Sequence, residues 1–347
     1  MSDPIEEIMM RCVRRSLLLG CAAALVGMVS LSGPAAAQTT MKLATATVND
    51  VQVEAIRHFG ARVEARSNGR IKAQYYPGAQ LGSNPRMIEG LQLGTVEVYV
   101  GPPAYMVGLD SRFQVMDAPG LYDDMEHFFR VTQDKAFRDV FLALGEPKGV
   151  KGISLFVYSP TSIATRDPIR KLSDFRGKKL RVLASRLERE SIGRLGATAV
   201  PIDFSEVVSA LQQGTVDGMR TGLSVFTSIK VYDVVKYATT THEAMIPEVM
   251  MVSKTWFDRQ PDDIKKIIVE EAAGMERHLF DWTSRQQIEA EKIWTEKGGE
   301  IIRLSEADRK EMMQQLAQVA EQVLGEKPTD RKMFEILKQA VERTRGK

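Results

Sequence analysis

Arg181 is the fifth residue of the stretch GKKLRV, which runs from Gly177 to Val182. Its guanidinium is a planar fork of donors that meets a carboxylate with two parallel hydrogen bonds. With Lys178 and Lys179 beside it, the same pattern also describes a charge on a solvated strand edge. Other chemistry is sparse. His58, His127, His242 and His278 stand at no metal-ligand spacing and beside no nucleophile, so no metal site and no cofactor is expected. His127 and His278 fall in helical patterns next to charges and are expected at the surface. The chain has no Gly-x-Ser-x-Gly, no Walker A loop and no Gly-x-Gly-x-x-Gly after a strand. Acid–base pairs assembled across a cleft leave no local motif, so an enzyme stays open at this level.

The elements that must carry these side chains alternate. MKLATA reads as a strand, and residues 51–66 as a helix with Val53, Ile56, Phe59 and Val63 on one face. Asn68-Gly69 ends that helix, and RIKAQYYP is the next strand. A phrase then occurs almost twice, LQLGTVEVYV from Leu91 and LQQGTVDGMR from Leu211. Each copy ends a helical pattern at a glycine suited to a left-handed residue, Gly94 or Gly214, and enters a strand, the first over residues 96–100. Either two lobes use one unit, each strand delivering a loop to a shared cleft, or the match is a recurring helix-to-strand connection. GPPAYM follows the first copy, where its prolines bar the strand from continuing. GISLFVYSP, GKKLRVLAS, ATAVPID and VMMVS add strands, with helices over residues 186–195 and 204–213. Residues 262–297 form one long helical pattern, and a charged helical stretch follows Ser305. The alternation defines an α/β protein.

Residues 1–37 read as a signal peptide: Arg11, Arg14 and Arg15 precede an apolar run, and Ala35-Ala36-Ala37 offers a cleavage site after Ala37. RRSLLLG fits both an ordinary and a twin-arginine export signal. Both cysteines, Cys12 and Cys21, lie in that segment, so the remaining 310 residues must hold together through their core, without disulfides. Their 44 basic and 42 acidic residues suggest neither nucleic acid nor a membrane surface as partner.

From YYPGAQLGSNPRMIEGLQLGTVEV through IRKLSDFRGKKLRV, LGATAVPIDFSEVVSALQQGTVDG and YDVVKYATTTHEAMIPEVMMVSKTWFDRQPDDIKKIIVEEAA, the chain resembles the substrate-binding proteins of TRAP (tripartite ATP-independent periplasmic) transporters. The resemblance implies a two-lobed periplasmic binding protein with a hinge, a long helix spanning both lobes, and an organic anion held between them. Lobe I would take 41–157 and 247–288, and lobe II 158–246 and 289–347. The implied function is an extracytoplasmic receptor that delivers a small carboxylate to TRAP permease subunits for ion-gradient-driven uptake. An exported enzyme on a carboxylate, or the sensing module of a signalling receptor, are the rival readings.

Arg181 matches the family's carboxylate-pairing arginine, and Phe204 an aromatic that packs on the ligand. Where sugar-acid binders read Asp-Gly-Gln-Glu-Asn-Pro, this chain has DGMRTG, with Thr221 and Gly222 in place of Asn and Pro. A second arginine that some members carry is replaced near SPTS. Thr45 and Pro102 occupy places where sugar-acid binders put amide and carboxylate groups. These departures imply a less polar ligand. Tyr105, in the GPPAY loop, and the TAT loop at Thr45 are expected to face the ligand from lobe I. Arg220 either adds a second cationic contact or points to solvent.

Overall fold

The computed structural model describes residues 38–346; the expected signal peptide and its cleavage site lie outside the described residues. In chain order the first set is β1 (Thr39–Ala44), α1 (Val51–Arg66), β2 (Ile71–Tyr76), α2 (Asn84–Leu93) and β3 (Val98–Gly101). Helices α3 (Met125–Gln133) and α4 (Lys135–Leu142) lead to β4 (Val150–Pro160) and β5 (Ser162–Thr165). The second set is β6 (Lys179–Val182), α5 (Arg186–Arg194), β7 (Thr198–Pro201), α6 (Val207–Gln212) and β8 (Gly218–Thr221). Next come α7 (Leu223–Ser228), β9 (Tyr237–Thr240), β10 (Met245–Ser253), α8 (Lys254–Asp258), α9 (Asp262–Gly274) and α10 (Glu276–Glu296). The chain ends with β11 (Glu300–Arg303), α11 (Glu306–Gly325) and α12 (Pro328–Thr344).

Two sheets result, ordered β2-β1-β3-β10-β4 and β7-β6-β8-β5-β9-β11. Their shared plan explains the duplicated phrase. In each set the third strand runs parallel to the first, β3 to β1 and β8 to β6. Each third strand then pairs antiparallel with a strand lent by the other half of the chain, β10 in one sheet and β5 in the other. Gly94 and Gly214 both close their helices with left-handed φ, 74° and 71°, which only glycine adopts without strain. The strand after Gly94 starts at Val98 rather than at residue 96, because the Thr95 and Val96 amides are used on the Gly90 carbonyl to finish α2.

Both faces of the first sheet are covered. Val98, Val100, Phe156 and Met250 pack into one apolar layer and Tyr99, Leu155, Val157 and Met251 into another. A strand buried on both sides reads as a continuous apolar run, as in VMMVS.

The long pattern over 262–297 is two helices. Gly274 weakens the turn, and Glu276 is drawn inward, where it accepts from Ser154 Oγ at 2.7 Å and Leu155 N at 3.1 Å and pairs with Arg138. Helix α10 packs on β4 of the first sheet and on α7 and β11 of the second half, so it runs along both lobes. The expected assignment of 289–347 to lobe II fails for α12, which packs on α3 and α4 beside the first sheet. That packing buries His127 completely, contrary to the surface position expected of it; its Nε2 lies 3.0 Å from the Val341 carbonyl oxygen.

Candidate functional site

A cavity lies between the ends of the two sheets, and equivalent places in the two sets line it in pairs. Loops after β1 and β6 supply Thr47 and Leu183, the start of α2 and the approach to α6 supply Asn84 and Phe204, and the loop after β3 and the end of β8 supply Tyr105 and Thr221. The free volume is only about 30 Å³, so the walls stand close together. Ties cross between them: Asn84 Nδ2 donates to Asp203 Oδ2 at 3.0 Å and Arg181 Nη2 to Tyr105 Oη at 2.7 Å.

Arg181 sits on β6 with no solvent exposure. Its Nε donates to the Ile202 carbonyl at 2.9 Å, which fixes the plane of the guanidinium, and its Cζ lies 5.9 Å from the Phe204 ring centroid. No carboxylate among the described residues is within ion-pair distance of it. A buried cation without a counter-ion is costly unless an anion joins it.

Arg220 is placed otherwise. It is not among the residues lining the cavity, and neither alternative of cleft contact or solvent exposure describes it. Buried to 6 % exposure, it pairs with Glu188 and with Glu243, the latter at 2.7 Å. Glu243 also accepts from Thr161 Oγ1 at 2.6 Å. Arg220 therefore fastens α5 to the two segments that pass between the sheets, at Thr161 and Glu243.

Thr45 is behind the wall rather than on it: its hydroxyl donates to Gln52 Oε1, and Ala46, Thr47 and Gln52 line the cavity instead. Pro102, Tyr105, Phe204 and Thr221 do reach the cavity. The geometry of the first-lobe wall comes from Asp50, which caps α1 by accepting from the Gln52 and Val53 amides and also accepts from Thr47 Oγ1 and Tyr158 Oη, both at 2.8 Å. Burial pushes the Asp50 carboxyl up to about 6 despite these bonds.

Glu248, Gln52, Asn84 and Tyr158 also line the cavity and were not among the residues expected there. For Glu248 a signal existed, a lone carboxylate within MIPEVMMVS, since a charge is seldom fully buried without a reason. Away from the cavity the fold brings together histidines that the sequence keeps apart. His58 and His278 stack at 4.4 Å, His278 Nε2 lies 2.7 Å from Glu54 Oε1, and the ligand-type atoms of all three residues fall within 4.8 Å of one another.

Two lobes of repeated plan, joined by crossing strands and enclosing a buried arginine without a counter-ion among the described residues, define a binding protein for an anionic solute. The chain belongs to the bacterial extracellular solute-binding protein family 7, whose family model matches residues 44–327. A solute-binding protein of Verminephrobacter eiseniae is 32% identical over 229 residues, 65% of this chain and 68% of that one. The fold is similar to that of a TRAP periplasmic solute binding protein from Desulfovibrio salexigens with bound orotic acid, at a TM-score of 0.85 and 23% identity over 88% of this chain and 100% of that chain. It is also similar to the sugar acid binding protein of Advenella mimigardefordensis in complex with galactonate, at 0.84 and 25% over 88% and 99%.

Proposed function

We propose that the protein is the extracytoplasmic receptor of a TRAP-type transporter, holding a small organic carboxylate between its lobes and handing it to membrane permease subunits for ion-gradient-driven uptake. The observation that carries this reading is Arg181, buried without a carboxylate partner beside a cavity. A ligand carboxylate supplies the missing anion, and the fixed plane of the guanidinium favours a two-pronged contact. Phe204, Val225, Ile246 and Leu183 give the cavity apolar walls, which suits a ligand less polar than a sugar acid. The bound acid touches both lobes and so favours the closed form through its greater affinity for it. The relatives' bound acids, orotate and galactonate, support the class of ligand and leave its identity to measurement.

The test is calorimetric titration of a panel of organic acids, including any small molecule that mass spectrometry finds co-purifying with the protein. Arg181→Ala and Arg181→Lys should both weaken binding at least about tenfold, because a point charge does not reproduce the fork. A lysine variant within about twofold of the original, well below 1 kcal/mol, would refute the two-pronged contact.

A further inference from the structure

Glu248 lies on β10, in the first sheet, and lines the same cavity that Arg181 lines from the second. It has no solvent exposure. One of its oxygens, Oε1, accepts from Gln52 Nε2 at 3.1 Å; the other, Oε2, has no hydrogen-bond partner among the described residues. The orientation of the Gln52 amide follows from a short relay. The Thr47 amide faces the Thr45 hydroxyl oxygen, the Thr45 hydroxyl donates to Gln52 Oε1, and the Gln52 amide nitrogen is left to face Glu248. Oε1 is thus held as an acceptor, and any proton on the carboxyl belongs on Oε2.

The surroundings decide whether that proton is present. Asp50, Tyr158 and Tyr99 are the titratable groups that face Glu248 from its own side, and Arg181, across the cavity, is the cation that lines it. Burial first, and the Asp50 carboxylate second, push the Glu248 carboxyl well above its ordinary range. With Oε1 engaged by Gln52 and Oε2 unpartnered beside the cavity, the acid form of Glu248 has its hydroxyl free to donate to a ligand acceptor.

We propose that Glu248 is a specificity-determining residue that donates from Oε2 to a neutral oxygen of the ligand, so that the receptor selects oxo- or hydroxy-monocarboxylates. This rests on the reading of Arg181 as the carboxylate site. A ligand with a plain alkyl end leaves Oε2 without an acceptor, which costs affinity because the group stays buried either way. A second carboxylate would meet the charge of Asp50 and is disfavoured.

The experiment is calorimetric titration at neutral pH with pentanoate, 4-oxopentanoate, pentanedioate and 4-aminopentanoate, with hexanoate and 5-oxohexanoate as a longer matched pair. The oxo acid of at least one pair should bind about tenfold more tightly than its alkyl counterpart, as expected for one buried hydrogen bond, with the diacid and the amino acid weaker than the oxo acid. Glu248→Gln, which keeps a donor and cannot ionise, should retain this preference within about threefold, while Glu248→Leu should abolish it. Equal binding of oxo and alkyl acids would overturn the assignment, as would tightest binding of 4-aminopentanoate together with its loss in Glu248→Gln, the mark of an ionised carboxylate. If none of the acids bound the unaltered protein, the Arg181 reading would fall and this inference with it.

Discussion

Two arginines of the second half, both buried, are used in opposite ways, and substitution should separate them. Arg220 has two carboxylate partners, so Arg220→Met strands Glu188 and Glu243 in the interior and should cost about 3–5 kcal/mol of stability. Arg181 has none, so Arg181→Met should change the stability of the empty protein by no more than about 1 kcal/mol of either sign while removing carboxylate binding. Thermal and denaturant unfolding of both variants checks the contrast. Glu248 adds a pH dependence. An acid whose folded value is raised contributes stability at pH below its unfolded value, near 4.5, and loses it as pH rises through the folded value. Glu248→Gln lacks that loss, so its melting temperature should exceed that of the unaltered protein by a margin that grows from about pH 4.5 upward. A margin constant with pH would mean that Glu248 ionises as freely when folded as when unfolded.

At the level of elements, the two glycine stops differ from the glycine that follows β8. Gly94 and Gly214 adopt left-handed φ with no atom within 3.4 Å of an added Cβ, so alanine there should cost about 1 kcal/mol each and leave affinity unchanged. At Gly222 an added Cβ would lie 1.8 Å from Ser159 Oγ on β4. Gly222→Ala forces either Ser159 or the end of β8 that carries Thr221 to shift, so it should weaken ligand binding, whereas Thr221→Val should change affinity with little effect on melting temperature. Calorimetry and thermal unfolding on the four variants read these outcomes. The same elements mark how far the sequence could be read. Helix stops and buried strands were legible because they rest on local periodicity and on glycine, whereas Arg181, Phe204, Thr221 and Pro102 were marked through the family resemblance; with Tyr105 they line the cavity from strand ends and the segments after them. Arg220 was not legible, since its partners Glu188 and Glu243 are brought to it by α5 and by the segment before β10. Nor was the break at Met275, which depends on what Glu276 finds when it turns inward, or the docking of α12 over His127.

For the whole molecule, the ties between the cavity walls are few and polar, Tyr105 to Arg181 and Asn84 to Asp203 among them, each worth about 1 kcal/mol net. Ties of that size do not by themselves lock the walls together, and a bound acid should shift the protein toward the closed form. Small-angle scattering should give a smaller radius of gyration with saturating acid than without; an unchanged radius would rule out lobe closure as the response to ligand. The exchange of β10 and β5 between the sheets has a consequence for biosynthesis. In the first sheet the strand between β3 and β4 is β10, which the ribosome makes only after the whole second set and β9. Until then the nascent first half holds two unpaired edges facing a gap one strand wide, an invitation to aggregation or to a chaperone. A fragment of residues 38–240, which lacks β10, should precipitate under conditions where residues 38–347 do not, as sedimentation of the two expressed side by side would show.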